Sequence, residues 1–78
     1  MTTSIAFALP QAARVKLDIF DIGGRKVREL ASGAMSAGRH TVQWDRSDER
    51  GRIVQPGVYY TRLEVDGKSY QRKIVTLN

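Results

Sequence analysis

Cysteine is absent from this 78-residue chain, histidine occurs once and proline twice. Without cysteine no disulfide braces a fold of this size, and no thiolate is on hand as nucleophile or metal ligand. Small exported domains often depend on disulfides, so this one must rely on strand packing or on a neighbour in a longer parent. The lack does not by itself assign a compartment. No run approaches the roughly 20 apolar residues that a membrane-spanning helix requires. No charged segment followed by an apolar one marks an export leader in these residues. Low-complexity tracts and internal repeats are also missing.

What remains is the composition of one small globular domain, 41% hydrophobic and 27% charged. At this length a single core is only marginally stabilising. Thirteen Lys and Arg against eight Asp and Glu leave a net charge of +5. A basic balance can signal a nucleic-acid, lipid or glycan partner. Here the cations are scattered from Arg14 to Lys73, with Asp18, Glu29, Glu64 and Asp66 interleaved. That distribution reads as a solvated surface, and no specific nucleic acid is expected.

Period-two alternation dominates the chain. Ile5, Phe7 and Leu9 alternate with small residues up to Pro10, which lacks a ladder donor. Val15, Leu17 and Ile19 form a second strand, and Phe20 breaks its parity, the mark of a bulge or a strand end. Asp21-Ile22-Gly23-Gly24 reads as a turn, because its two glycines tolerate positive φ where other residues would clash. Arg25 to Ala31 is ambiguous, because Val27 and Leu30 lie three apart. Its charge and short span favour a strand closed by Ser32-Gly33. His40, Val42 and Trp44 share one face of the next strand. Val58 to Val65 is the longest, with Tyr59, Thr61, Leu63 and Val65 on one side and Tyr60, Arg62 and Glu64 on the other. Asp66-Gly67 is a two-residue hairpin signal, and the return strand runs from Lys68 to about Leu77. The expectation is all-β, a small antiparallel sandwich of about seven strands.

The chemistry-bearing residues are few. His40 has inward parity and reads as a partly buried ring satisfied by backbone. Ser47 has no general base beside it, and Gly23-Gly24-Arg25 is too short and lies between strands, where a phosphate loop needs a following helix. No enzyme and no cofactor are expected. Asp45, Asp48 and Glu49 lack the dense carboxylate alternation of a calcium loop, and Arg46, Arg50 and Arg52 compete for them. Short Asp side chains there cap turns instead, so no metal is expected. Trp44 and Tyr59 read as core, which leaves Tyr60 and Tyr70 as the only aromatics for a carbohydrate-binding platform.

The block from Trp44 to Tyr60 joins a strand end, a polar stretch and a strand start. It resembles the bacterial Ig-like modules related to the flagellar hook-capping protein, whose commonest relatives are C-terminal type IX secretion sorting domains. Trp44, Asp45, Asp48, Gly51, Val54, Gly57 and Tyr59 match the pattern Trp-Asp-Gly-x-Asp-x-x-Gly-x-x-Val-x-x-Gly-x-Tyr. Residues 5–10, 15–25 and 37–40 resemble the family's earlier strands and turns, and residues 73–78 its closing strand. The resemblance implies an Ig-like sandwich spanning residues 1–78, a non-catalytic C-terminal module excised from a larger exported protein. It implies a sorting or surface-attachment role carried by Lys73, Ile74, Val75 and Leu77. The partners would be secretion machinery or a cell-surface component, with a catalytic domain upstream, and the location secreted or at the outer surface. The alternative is a structural assembly or spacer domain of the hook-cap kind, and further behind it a carbohydrate or polyanion binder. Arg46 stands where the family has glycine, so the loop is expected to turn differently. Thr76 and Asn78 also depart from the closing pattern.

Overall fold

The computed structural model describes residues 2–77; readings that fall on Met1 and Asn78 lie outside the described residues. Six strands follow one another: β1 (Thr3–Leu9), β2 (Ala13–Asp21), β3 (Lys26–Met35), β4 (Gly38–Trp44), β5 (Gly57–Val65) and β6 (Lys68–Thr76). All neighbours pair antiparallel, in a two-stranded sheet β1-β4 and a four-stranded sheet β3-β2-β5-β6. The expected all-β sandwich is present, with six strands where about seven were anticipated. Between β4 and β5 the polar loop contributes only the isolated bridge Ser47–Ile53, because its backbone groups are occupied by turns.

Alternation decides which face each strand buries. In β2, Val15, Leu17 and Ile19 are buried between the sheets, while Arg14 and Lys16 face solvent. In β1 and β4 the inward rows are Ile5-Phe7-Leu9 and His40-Val42-Trp44, paired so that Ile5 faces Val42 and Phe7 faces His40. The centre is Ile19, Trp44 and Tyr59, with Ile5, Val27, Leu30, Val54 and Ile74 packed around it. The Trp44 and Tyr59 rings meet edge to face at 5.4 Å and 68°. That geometry suits two ring quadrupoles.

Strand β3 resolves the ambiguity of Val27 and Leu30. Leu17 pairs with Ala31 and Asp18 with Glu29, which leaves Leu30 unpaired; Ile19 pairs with Arg28 and Phe20 with Lys26, which leaves Val27 unpaired. Two bulges therefore convert a spacing of three into one inward face. The strand does not close at Ser32-Gly33 but runs on to Met35, with Gly33 paired to Val15 at φ 130°. Only a residue without Cβ holds a ladder position there cheaply. In the preceding turn Gly24 alone has positive φ (85°), and Gly23 does not. Asp21 Oδ1 closes that turn by accepting from the N–H groups of Gly23 and Arg25. The β5–β6 hairpin turns through Asp66 (φ 48°) and Gly67 (φ 86°) as the dipeptide implied.

Trp44 is fully buried and the largest side chain of the core. Truncating a buried Trp to Ala costs about 3–5 kcal/mol, against a total of roughly 4–12 kcal/mol at this length. Trp44→Ala should lower the unfolding free energy by about 3–5 kcal/mol, whereas Tyr60→Ala, half-buried on the outer face, should cost less than half as much. Urea titrations followed by far-UV circular dichroism measure both. Native tryptophan emission should be blue-shifted and resist iodide; a red, freely quenched spectrum would contradict the assignment.

Candidate functional site

The polar stretch between β4 and β5 carries most of the motif residues, and it is folded onto the end of the sandwich. Its base is the Trp44 indole, whose Nε1–H donates to the Ser47 carbonyl at 2.8 Å. Asp45 Oδ1 accepts the Ser47 N–H at 3.0 Å and also the Ser47 hydroxyl. Asp48 Oδ1 accepts the N–H groups of Arg50 (2.9 Å) and Arg52 (3.0 Å). Both aspartates thus cap turns. Gly51, at φ 82°, takes the left-handed conformation that the second turn requires. Tyr59 fastens the far side of the loop by donating its hydroxyl to the Gln55 carbonyl at 2.6 Å.

Arg28, twenty residues earlier on β3, ties the loop to the sheet. Its Nη1 donates to the Ser47 hydroxyl and, at 3.4 Å, to the Asp48 carbonyl. It also pairs with Asp45 at 3.6 Å and, through Nε, with Glu49 at 3.9 Å. Glu49 in turn accepts the Glu29 N–H at 3.2 Å, and its own N–H reaches the Val27 carbonyl at 3.1 Å. No local pattern announces this role for Arg28; the bulges that place it opposite Ile19 are the nearest signal.

A cleft of about 540 Å³ lies between this loop and the Asp21–Arg25 turn, and its charged rim includes Asp21, Asp48, Arg25 and Arg52. The Oδ1 atoms of both aspartates accept backbone N–H groups. Among the described residues no three His, Cys, Asp or Glu side chains are grouped to hold a metal ion. His40 lies elsewhere, its ring stacked on Phe7 at 5.5 Å and its Nε2 2.8 Å from the Ser36 carbonyl. It is therefore partly buried and satisfied by backbone, as its parity suggested.

Arg46 adopts φ 65°, a left-handed conformation that glycine takes more cheaply. Its Nη1 donates to the Leu77 carbonyl at 2.8 Å, joining the loop to the end of the chain. Of the four residues assigned to sorting, Ile74 packs on the core, Lys73 and Val75 are exposed on β6, and Leu77 lies beyond that strand. Tyr60 and Tyr70 form no common platform. Tyr70 pairs with Leu63 and so shares the inner face, while Tyr60 pairs with Lys73 on the outer one.

A family model described as the FlgD Ig-like domain matches residues 1–69. The chain belongs to this family. Among solved structures it is similar to FlgD from P. aeruginosa, with a TM-score of 0.71 and 29% sequence identity over 94% of this chain. That match spans 58% of the P. aeruginosa chain. No curated protein sequence matches. In this FlgD-type Ig-like domain the motif from Trp44 to Tyr59 thus reads as architecture: an indole, two turn-capping aspartates, a left-handed glycine and a tyrosine that locks the loop.

Two outcomes follow from the loop. Hydrogen bonds from Ser47, its hydroxyl first, hold the Asp45 carboxyl below its ordinary 3.8. The Arg52 N–H, followed by that of Arg50, does the same for Asp48. Burial, with the Asp21 charge behind it, raises Tyr59 above 10.0. The aspartates therefore stabilise the fold above about pH 4 and lose that contribution as pH falls through their depressed values; Tyr59 contributes below about pH 10 and loses it as pH rises through its raised value. Asp48→Ala should lower stability at pH 7 and flatten the acid limb, read by denaturant titration across pH. Arg46→Gly trades a left-handed cost of about 1 kcal/mol against the bond to Leu77. Stability should stay within about 1 kcal/mol, while amide exchange at the end of β6 accelerates.

Proposed function

We propose that this chain is a non-catalytic structural module, an assembly or spacer domain of the hook-cap kind that works by docking to other protein chains. The observation that carries the reading is the loop itself: Asp45, Ser47, Asp48 and Glu49 each bond within the loop or to the sheet and so hold it in place. Family membership and the likeness to FlgD support the same reading. As a spacer or assembly domain the chain would sit in a longer parent and present its sheet edges and outer faces to neighbours.

A sorting or surface-attachment role is the second reading, favoured by the exposure of Lys73, Val75 and Leu77 at the end of β6. With it go the secretion-machinery partner, an upstream catalytic domain and an outer-surface location. Neither the family model nor the P. aeruginosa structure lends it support. One experiment separates the two. Residues 2–77 are deleted from the parent in its own bacterium, and the parent's location and co-sedimentation with large complexes are followed. The assembly reading expects loss of co-sedimentation with export unchanged. Accumulation in the periplasm, reproduced by deleting only residues 73–77, would replace it with the sorting reading.

A further inference from the structure

Two strands cover four, and the uncovered part is specific. The inner face of the four-stranded sheet extends past β1 to Tyr70 and Arg72 on β6, which pair with the inward-facing Leu63 and Thr61. By its pairing with Leu63 Tyr70 is an inner-face position, yet 56% of it is exposed. Beside it an apolar groove of about 370 Å³ runs between Ile5 and Phe7 of β1 and Leu63 of β5.

The edge that borders this groove is also less protected than the edges of the larger sheet. Strand β1 reads Thr-Ser-Ile-Ala-Phe-Ala-Leu, without charge or proline, and pairs with β4 in unbroken register. The edges of the larger sheet are blunted in the ways that deter strand addition. Strand β6 carries Lys68, Arg72 and Lys73, and β3 carries Lys26, Arg28 and Glu29 with two bulges. In an antiparallel pair every second residue turns its N–H and C=O away from the partner. Along β1 those groups open onto the groove side.

We propose that β1 accepts one extended segment from another protein, which pairs with its free edge and lays alternate apolar side chains over Leu63 and Tyr70. The added strand would sit about 4.8 Å from β1, within the overhang of β5 and β6. The same overhang argues against a second copy. Antiparallel pairing of two β1 strands about a two-fold axis puts both inner faces on one side, so the two overhangs compete for one space. Charge complementarity names the segment's polar feature. Arg72 lines the groove, whose walls contain no carboxylate, and it has no ion-pair partner among the described residues. The segment therefore carries an acidic residue on its inward face, flanked by apolar ones. This deepens the docking reading above and rests on it.

The test uses the full 78-residue chain, isotopically labelled, and three blocked seven-residue peptides of alternating valine and threonine. Their central residue is glutamate, lysine or proline. Saturable shifts and slowed amide exchange at alternate residues of Thr3–Leu9, with Tyr70 shifted, are the expected result. The glutamate peptide should bind about fivefold tighter than the lysine peptide, as for an exposed ion pair, and the proline peptide should not bind. Arg72→Glu, at an exposed position, should reverse the preference, and Tyr70→Ala should weaken all binding without unfolding the chain. Absence of saturable shifts with any peptide overturns the proposal, as do shifts confined to β3 or β6. Self-association through β1, seen by sedimentation without peptide, overturns it in favour of a second copy. Peptide failure beside a passed deletion test would leave the assembly reading intact and move its docking face elsewhere.

Discussion

The hydrogen bond from the Trp44 indole to the Ser47 carbonyl is the point on which the rest of this sandwich depends. It lets a large aromatic be fully buried while its one polar atom is satisfied. It also fixes the position of Ser47, whose own N–H and hydroxyl organise Asp45 and whose hydroxyl receives Arg28. One ring thereby couples the small sheet, the polar loop and the bulged strand of the large sheet. Tyr59 completes the link, touching the indole with its ring and the far end of the loop with its hydroxyl.

Strand positions were legible because each strand buries one face and shows the other, so the alternation of Val15, Leu17 and Ile19 or of Tyr59, Thr61 and Leu63 is enough to orient it. The turns were legible where chemistry is local, at Asp66-Gly67 and at the capping aspartates. The rest depends on contacts that have no local signature. Leu30 and Val27 could be read correctly only with knowledge of the register against β2. Arg28 meets the loop across about twenty residues, through a bulge that Phe20's parity hints at but does not locate. Gly33 looked like punctuation because a ladder glycine and a turn glycine are the same letter. Tyr70 was recognised as exposed, but its place on the inner face follows from the pairing with Leu63, which no periodicity within β6 reveals.

The site tells a similar story. The motif residues were found by pattern, and the structure assigns them mechanical duties: capping, burial and closure. Carboxylates of the kind that bind cations instead accept backbone N–H groups, a use set by loop geometry rather than composition. Asp18 shows the other way such groups are held. It is buried on the outer face of the large sheet, with Lys26 at 3.5 Å and Lys16 at 3.9 Å to compensate its charge.

The separation of the first and last strands has a consequence for how the domain bears load. Strand β1 is bonded only to β4, and β6 only to β5, in different sheets. No ladder of backbone bonds joins the two terminal strands to each other, and the path between them crosses the side chains packed between the sheets. A pull on both ends would therefore meet no single ladder that ties one end directly to the other.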